Sequence, residues 1–180
     1  MTVREVLARL VERFQARDIP EAAPDAALLL AHVLGVARVR LPLFYPEDLT
    51  PDQHSRLEAL ARRREAREPI QYLLERWPFL DLELFVGPGT LIPRHDTEDW
   101  LIEWFTLLKN DPGDRPFCFA DIGTGTGAIG LSLANAFPHS TGWLCDISSE
   151  ALAVAQKNLK ARAAFHERLH LVQADLASCL

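Results

Sequence analysis

Phe117-Cys118-Phe119-Ala120-Asp121-Ile122-Gly123-Thr124-Gly125-Thr126-Gly127-Ala128-Ile129-Gly130 is the stretch that decides the fold. A short apolar run ends in an acid, three glycines follow at alternate positions, and a small apolar segment of helical length comes next. This order predicts a strand over 117–122, a tight turn, and a helix over 126–137. Glycines in such a turn let backbone N–H groups approach a ligand that side chains would hold off, and the opening helix turns more free N–H groups the same way. Downstream the pattern repeats, with a strand over 141–146, a helix over 149–165 and a strand over 169–173. Strand and helix in alternation read as the βαβαβ half of a doubly wound α/β domain.

Upstream the period is helical. Val3, Val6, Leu7, Leu10, Val11 and Phe14 recur at three-and-four spacing, which predicts a helix over 3–17. Pro24 suits the first turn of a second helix that stops near Gly35, and Pro42 and Pro46 leave 39–45 short or irregular. Thr50, Pro51 and Gln53 spell a capping box with proline at the first helical position, so another helix begins at 51, turns Leu57, Leu60 and Ala61 inward, and ends before Pro69. Arg62, Arg63, Arg64 and Arg67 on it read as a solvated face partnered by Glu58, Glu65 and Glu68 rather than as an RNA-facing patch. From Leu80 the period becomes two. Leu80, Leu82, Leu84 and Val86 alternate with Asp81, Glu83 and Phe85, Gly87-Pro88-Gly89 turns, and Thr90–Pro93 extends again, so 79–93 reads as a β-hairpin. A helix over 96–109 and a loop over 111–114 lead into the α/β part.

The 180 residues are 48% apolar and 24% charged, a soluble, globular balance with no apolar run near the roughly 18 residues of a membrane span. The start, MTVREVLARLVERF, is amphipathic and unlike a secretory leader, so the expectation is a cytoplasmic protein. The first 70 residues carry 11 Lys+Arg and 11 Asp+Glu, which puts the whole net charge of −6 on residues 71–180. An acidic C-terminal part argues against a broad nucleic-acid surface. Cys118, Cys145 and Cys179 form no CxxC pair, and Cys118 and Cys145 read as small core residues. The six His are scattered without ligand spacing, so no metal is expected.

Gly125-x-Gly127-x-x-Gly130 also fits the dinucleotide fingerprint, which is weak evidence alone. Asp121 separates the readings, because a carboxylate before the glycines repels a pyrophosphate and attracts the ammonium of a methionine-type ligand. Asp146 ends the second strand 23 residues after Gly123, where an acid can accept from both ribose hydroxyls of an adenosine. Asp175 follows the third strand and is placed to accept from an adenine amino group, with a turn-forming role as its alternative. Three acids at successive strand ends suit S-adenosylmethionine better than a nicotinamide dinucleotide, and an oxidoreductase reading rests only on the literal GxGxxG.

Glu68-Pro69-Ile70-Gln71-Tyr72-Leu73, Leu91-Ile92-Pro93-Arg94-His95-Asp96-Thr97-Glu98 and Asp121–Ile129 together resemble the protein-glutamine N5-methyltransferases of peptide-chain release factors, the PrmC/HemK family. The resemblance runs essentially end to end. It implies a fold of an N-terminal helical bundle (1–74, substrate recognition), a linking β-hairpin (75–95) and the first half of a class I, Rossmann-like methyltransferase domain (96–180). It implies methyl transfer from S-adenosylmethionine to the Gln of a Gly-Gly-Gln motif, with release factors as partners and neither membrane nor direct nucleic acid involved. Gly123, Thr124, Gly125, Thr126 and Gly127, after Asp121, would then surround the methionine part, Asp146 would hold the ribose, and Leu176, after Asp175, would lie beside the adenine. Arg94, Thr97 and Glu98 would stand near the entrance, an ion pair of Arg94 with Glu98 or Asp96 being the alternative for that arginine. His95 replaces a usual proline and Glu75 a usual glycine.

The family's catalytic Asn-Pro-Pro-Tyr does not occur in these 180 residues. An amide nitrogen is a poor nucleophile that must be oriented by hydrogen-bond acceptors, so no catalytic residue is assigned and the expectation is a fragment or truncated product. In the order 3-2-1-4-5 a chain with three strands leaves its first strand at an edge, and the isolated chain is expected to be marginally stable or to associate. The alternatives are a non-catalytic cofactor- or release-factor-binding fragment, and a methyltransferase for a ribosomal-protein glutamine.

Overall fold

The computed structural model describes residues 1–110, 116–176 and 178. The loop expected over 111–114 and Cys179 lie outside the described residues. The chain divides into two compact units, Met1–Leu74 and Glu75–Leu180.

The first unit is helical: α1 (Val3–Gln15), α2 (Ala22–Leu34), a 3₁₀ helix over Arg38–Phe44, α3 (Pro51–Glu65) and α4 (Ile70–Leu74). Thr2 and Glu5 form a capping box on α1 and Thr50 and Gln53 one on α3, satisfying N–H groups that a helix leaves free. Gly35 closes α2 in the left-handed region at φ 68°. Val3, Val6, Leu10 and Phe14 of α1 pack with Leu29 and Leu30 of α2, Leu57 and Ala61 of α3, and Ile70 and Leu73 of α4.

Two expectations change here. Helix α3 stops at Glu65, ahead of the expected end before Pro69, because Arg67 turns left-handed at φ 70°. The arginines are also tied into the unit more than a solvated face would be. Glu58 and Glu65 are taken by Arg13 of α1, at 2.6 and 3.0 Å. Arg64 reaches Asp25 of α2 at 2.7 Å, and Arg67 donates to the carbonyls of Arg17 and Asp18. Only Arg63 finds an expected acid, Glu68, at 2.6 Å.

The second unit opens with a hairpin of β1 (Arg76–Phe79) and β2 (Leu82–Phe85), paired antiparallel from Arg76↔Phe85 to Phe79↔Leu82. The hairpin therefore turns at Leu80-Asp81 rather than at Gly87-Pro88-Gly89, and Thr90–Pro93 is not a strand. The tip carries neither glycine nor asparagine, and Leu80 itself sits at φ 49°, so the usual turn signal is missing. Next come α5 (His95–Asn110), β3 (Cys118–Ile122), α6 (Ala128–Ala136), β4 (Thr141–Asp146), α7 (Ser149–Lys160), a 3₁₀ turn over Ala163–Phe165 and β5 (Leu169–Gln173).

The three strands form one parallel sheet in the order β3-β4-β5, with Asp121 opposite Leu144 and Asp146 opposite Gln173. Phe79, Leu84, Leu101, Phe105, Leu131, Leu144 and Leu159 build its core. Gly142 lets β3 lie close, since a Cβ there would stand 2.4 Å from the Phe119 ring. Cys145 is buried as expected, but Cys118 is exposed, because it shares with Ala120 and Ile122 the exposed face of β3, Asp121 facing the buried side. Arg168 donates to the carbonyls of Ala134, Phe137 and Ser140 at 3.1, 3.4 and 3.1 Å, closing the end of α6. No single helix among the described residues is long and apolar enough to cross a membrane.

Candidate cofactor site at the strand ends

In a parallel sheet the crevice beyond the carboxyl ends of the strands is where ligands bind, and the expected residues cluster there. Gly123, Gly125 and Gly127 all take positive φ, at 74, 57 and 83°, which residues with a Cβ adopt only at a cost. The N–H groups of Gly123 and Thr124 both donate to the Cys145 carbonyl, at 2.8 and 2.9 Å, so the turn folds back over the tip of β4. A Cβ on Gly123 would meet nothing within 4 Å, leaving open space beside that part of the turn.

Asp121 is 8% exposed, and its Oδ2 accepts from the Thr124 hydroxyl at 2.6 Å and the Gly130 N–H at 3.0 Å. The acid thus spans the turn from below, joining its start to the first turn of α6. Burial raises its pKa above the ordinary carboxylate range, and the two hydrogen bonds only partly offset that. Thr124 and Thr126 are also buried, the hydroxyl of Thr124 being committed to Asp121.

Asp146 stands at the tip of β4. Its Oδ2 accepts from the Gly125 N–H and its Oδ1 from the Ser148 N–H, both at 2.9 Å, while the Ser148 hydroxyl caps α7. Each carboxylate oxygen retains a further acceptor site. Asp175 is exposed past β5 and begins a turn, its carbonyl accepting from the Ser178 N–H. Leu176 follows at φ 49° and is 72% exposed. Sequence reasoning missed Ile147, which is 66% exposed directly after Asp146 and is held by its carbonyl to the Gln173 amide at 3.0 Å. An apolar residue directly after a strand-ending acid was the available signal. Two exposed apolar side chains thus flank acids at adjacent strand tips.

The Arg94–Glu98 group is engaged elsewhere. Glu98 accepts from the Leu80 N–H at 3.0 Å and pairs with His95 at 2.8 Å, tying the hairpin tip to the start of α5. It lines an open cavity of about 720 Å³ with Leu80, Phe105, Ser132 and Asn135, at the far end of α6 from the glycine turn. Arg94 is exposed and makes no ion pair with Glu98 or Asp96 among the described residues, and its carbonyl accepts from the Thr97 N–H at 3.1 Å. Both departures acquire a physical reason. Glu75 sits at φ 60°, a conformation that suits glycine, and His95 occupies the first residue of α5, where proline fits well, gaining the Glu98 contact instead. No group of three or more His, Cys, Asp or Glu among the described residues suits a metal ion.

A parallel sheet whose first turn is glycine-rich and whose second strand ends in an acid is the first half of a Rossmann-like nucleotide-binding fold, and residues 106–180 match the family model of the methyltransferase small domain, which makes it a methyltransferase domain. Residues 5–74 match that of the PrmC N-terminal domain. The release factor glutamine methyltransferases of Moorella thermoacetica and Escherichia coli are each 36% identical over 180 residues, all of this chain and 62% of their own length. That of Coxiella burnetii is 44% identical over 137 residues, 76% of this chain and 48% of its own. The chain is similar along its whole length to release factor glutamine methyltransferases, and it spans about three fifths of the length of the first two relatives.

Proposed function

We propose that the protein transfers a methyl group from S-adenosylmethionine to the side-chain amide nitrogen of the Gln in the Gly-Gly-Gln motif of release factors, and that this chain supplies the cofactor half-site. The observation that carries the reading is the bond from the Gly125 N–H to Asp146 Oδ2. It sets the glycine turn and the acid ending β4 around one crevice, with Ile147 and Leu176 exposed beside it. Within that crevice Asp146 accepts from the ribose hydroxyls, Ile147 and Leu176 cover the faces of the flat base, and Asp175 accepts from its amino group. Gly123 and Gly125 admit the methionine part against backbone. Asp121 acts mainly by holding the turn. The cofactor, when bound, supplies an electrophilic methyl on a sulfonium. The helical unit docks the release factor, and the protein works in the cytoplasm without direct contact to nucleic acid or membrane.

Calorimetric titration of the chain with S-adenosylmethionine and with NADH tests this. Saturable binding of the first only is expected, weakened about tenfold or more in Asp146→Ala, the loss of one or two charge-assisted hydrogen bonds. Preferential binding of NADH, or an Asp146→Ala chain that binds as the parent does, overturns it.

A further inference from the structure

Asn158 is fully buried on α7 and joins three separate segments. Its Oδ1 accepts from the Phe85 N–H at 2.6 Å, and its Nδ2 donates to the Phe85 and Thr126 carbonyls, each at 2.9 Å. One partner is a donor and two are acceptors, so a single orientation of the amide serves all three. Phe85 closes β2, and the side chain takes both its N–H and its carbonyl as a neighbouring strand would. Thr126 lies in the glycine turn, one residue before the Gly127 that caps α6. One amide therefore fastens the end of the hairpin to the turn that curls over β4.

Two neighbours reach only the hairpin side. Arg162 donates to the Glu83 carbonyl at 2.6 Å and to the backbone carbonyl of Asn158 at 2.9 Å. Gly89, just past the hairpin, packs so close to α7 that a Cβ there would stand 2.8 Å from Glu150 Oε2. Helix α7 and the residues just after it thus back the hairpin and the chain that follows it, but among the hydrogen bonds described only the Asn158 side chain continues from the hairpin to the turn.

We propose that Asn158 is a positioning residue that couples the seating of the β1–β2 hairpin to the conformation of the Gly123–Gly127 turn. Cofactor affinity then depends on the hairpin being in place, and a bound cofactor tightens the hairpin by the same factor, since coupling between two sites is reciprocal. The cofactor half of this statement rests on the function proposed above; the coupling itself does not.

Amide hydrogen exchange on the ligand-free chain is the first test, comparing Asn158→Asp, Asn158→Ser and Arg162→Gln, and Arg162→Gln added to Asn158→Ser. Asn158→Asp keeps the size and the acceptor for Phe85, loses both donations, and sets a carboxylate against two carbonyl oxygens. Hairpin amides exchange faster in all three single variants. Amides of Gly125 to Ala128 exchange about tenfold faster in the two Asn158 variants, faster also in Arg162→Gln, where Asn158 still links the loosened hairpin to the turn, and no faster again when Arg162→Gln is added to Asn158→Ser. Turn amides that stay protected in both Asn158 variants overturn the proposal, as does a turn that Arg162→Gln loosens as much with Asn158→Ser as without it. Loss of cooperative unfolding in both Asn158 variants overturns it too, since Asn158 would then serve the fold as a whole.

Titration with S-adenosylmethionine is the second test. Binding about tenfold weaker in Asn158→Ser, and weakened by Arg162→Gln in the parent but not in Asn158→Ser, is expected, with hairpin protection on cofactor addition seen in the parent and lost in Asn158→Ser. A parent chain that binds no S-adenosylmethionine overturns the cofactor reading alone, and the exchange data still decide the coupling.

Discussion

Replacing Asp121 separates two jobs that one carboxylate can do. Its Oδ2 is the partner of two donors in the buried floor of the turn, the Thr124 hydroxyl and the Gly130 N–H. Asp121→Ala leaves both without an acceptor, at about 1–3 kcal/mol each, so the second unit loses about 2–5 kcal/mol. Asp121→Asn keeps an oxygen able to accept both bonds and removes an acid that burial disfavours, so its cost stays under about 1 kcal/mol. The sign with pH follows from the raised pKa. The folded chain binds this proton more tightly than the unfolded one, so the term is fully favourable below the unfolded pKa and is lost as pH rises through the higher folded one. Asp121→Asn abolishes that slope. All four tryptophans (Trp77, Trp100, Trp104 and Trp143) lie in the second unit and both tyrosines (Tyr45 and Tyr72) in the first. Urea unfolding followed by tryptophan fluorescence therefore reads the right unit. An Asp121→Asn chain as damaged as Asp121→Ala would show that charge, and not the pair of hydrogen bonds, holds the turn. An undamaged Asp121→Ala chain would show that the bonds carry nothing.

Three further outcomes can be measured. Gly127→Ala combines φ 83° with contacts of 3.1 Å to Leu131 and 3.3 Å to Leu144, and lowers stability by about 2–4 kcal/mol; Gly123→Ala has only its φ of 74° to oppose and loses about 1–2 kcal/mol, the two urea midpoints giving the comparison. His95 titrates above the ordinary histidine value because of its hydrogen bond and charge attraction to Glu98. The stabilisation from that pair is present below the unfolded pKa and fades as pH rises through the raised one; an NMR titration sees this, and Glu98→Gln returns His95 to the ordinary range. Arg64→Met strands Asp25, which is 3% exposed, and costs the helical unit about 3–5 kcal/mol, visible by circular dichroism with tryptophan fluorescence unchanged.

The sequence makes the three-stranded half-sheet plain because its signals are local. An apolar run, a glycine turn and an acid at the strand tip are each contained within a few residues, and Thr141–Asp146 and Leu169–Gln173 fall where their patterns place them. The hairpin was displaced for the opposite reason. Leu80 and Asp81 turn the chain with no glycine or asparagine, the leucine itself taking positive φ and held from outside by Glu98, while Gly87-Pro88-Gly89 advertises a turn that joins no strands. Partner choice among charges was equally hidden. Glu58 and Glu65 lie at helical spacing from the arginines of their own helix, yet bond Arg13, 45 and 52 residues away. Asn158 left one trace: with Ala151, Ala155 and Leu159 it falls on the buried side of α7, and a polar residue on such a face asks for partners.

Helix α6 has nine residues, fewer than the roughly 12–15 at which an isolated helix becomes even marginal in water. Its N–H end is received by Asp121 through Gly130, and its carbonyl end by the guanidinium of Arg168, a cation at the negative pole of the helix dipole. Both groups belong to strands or their borders, so the sheet grips the helix as a vice grips a short rod. The glycine turn hangs from one jaw. A ligand entering the crevice therefore meets a turn already shaped, the N–H groups of Gly123, Thr124 and Gly125 bonded to the tip of β4, and little of its binding free energy is consumed in ordering that turn.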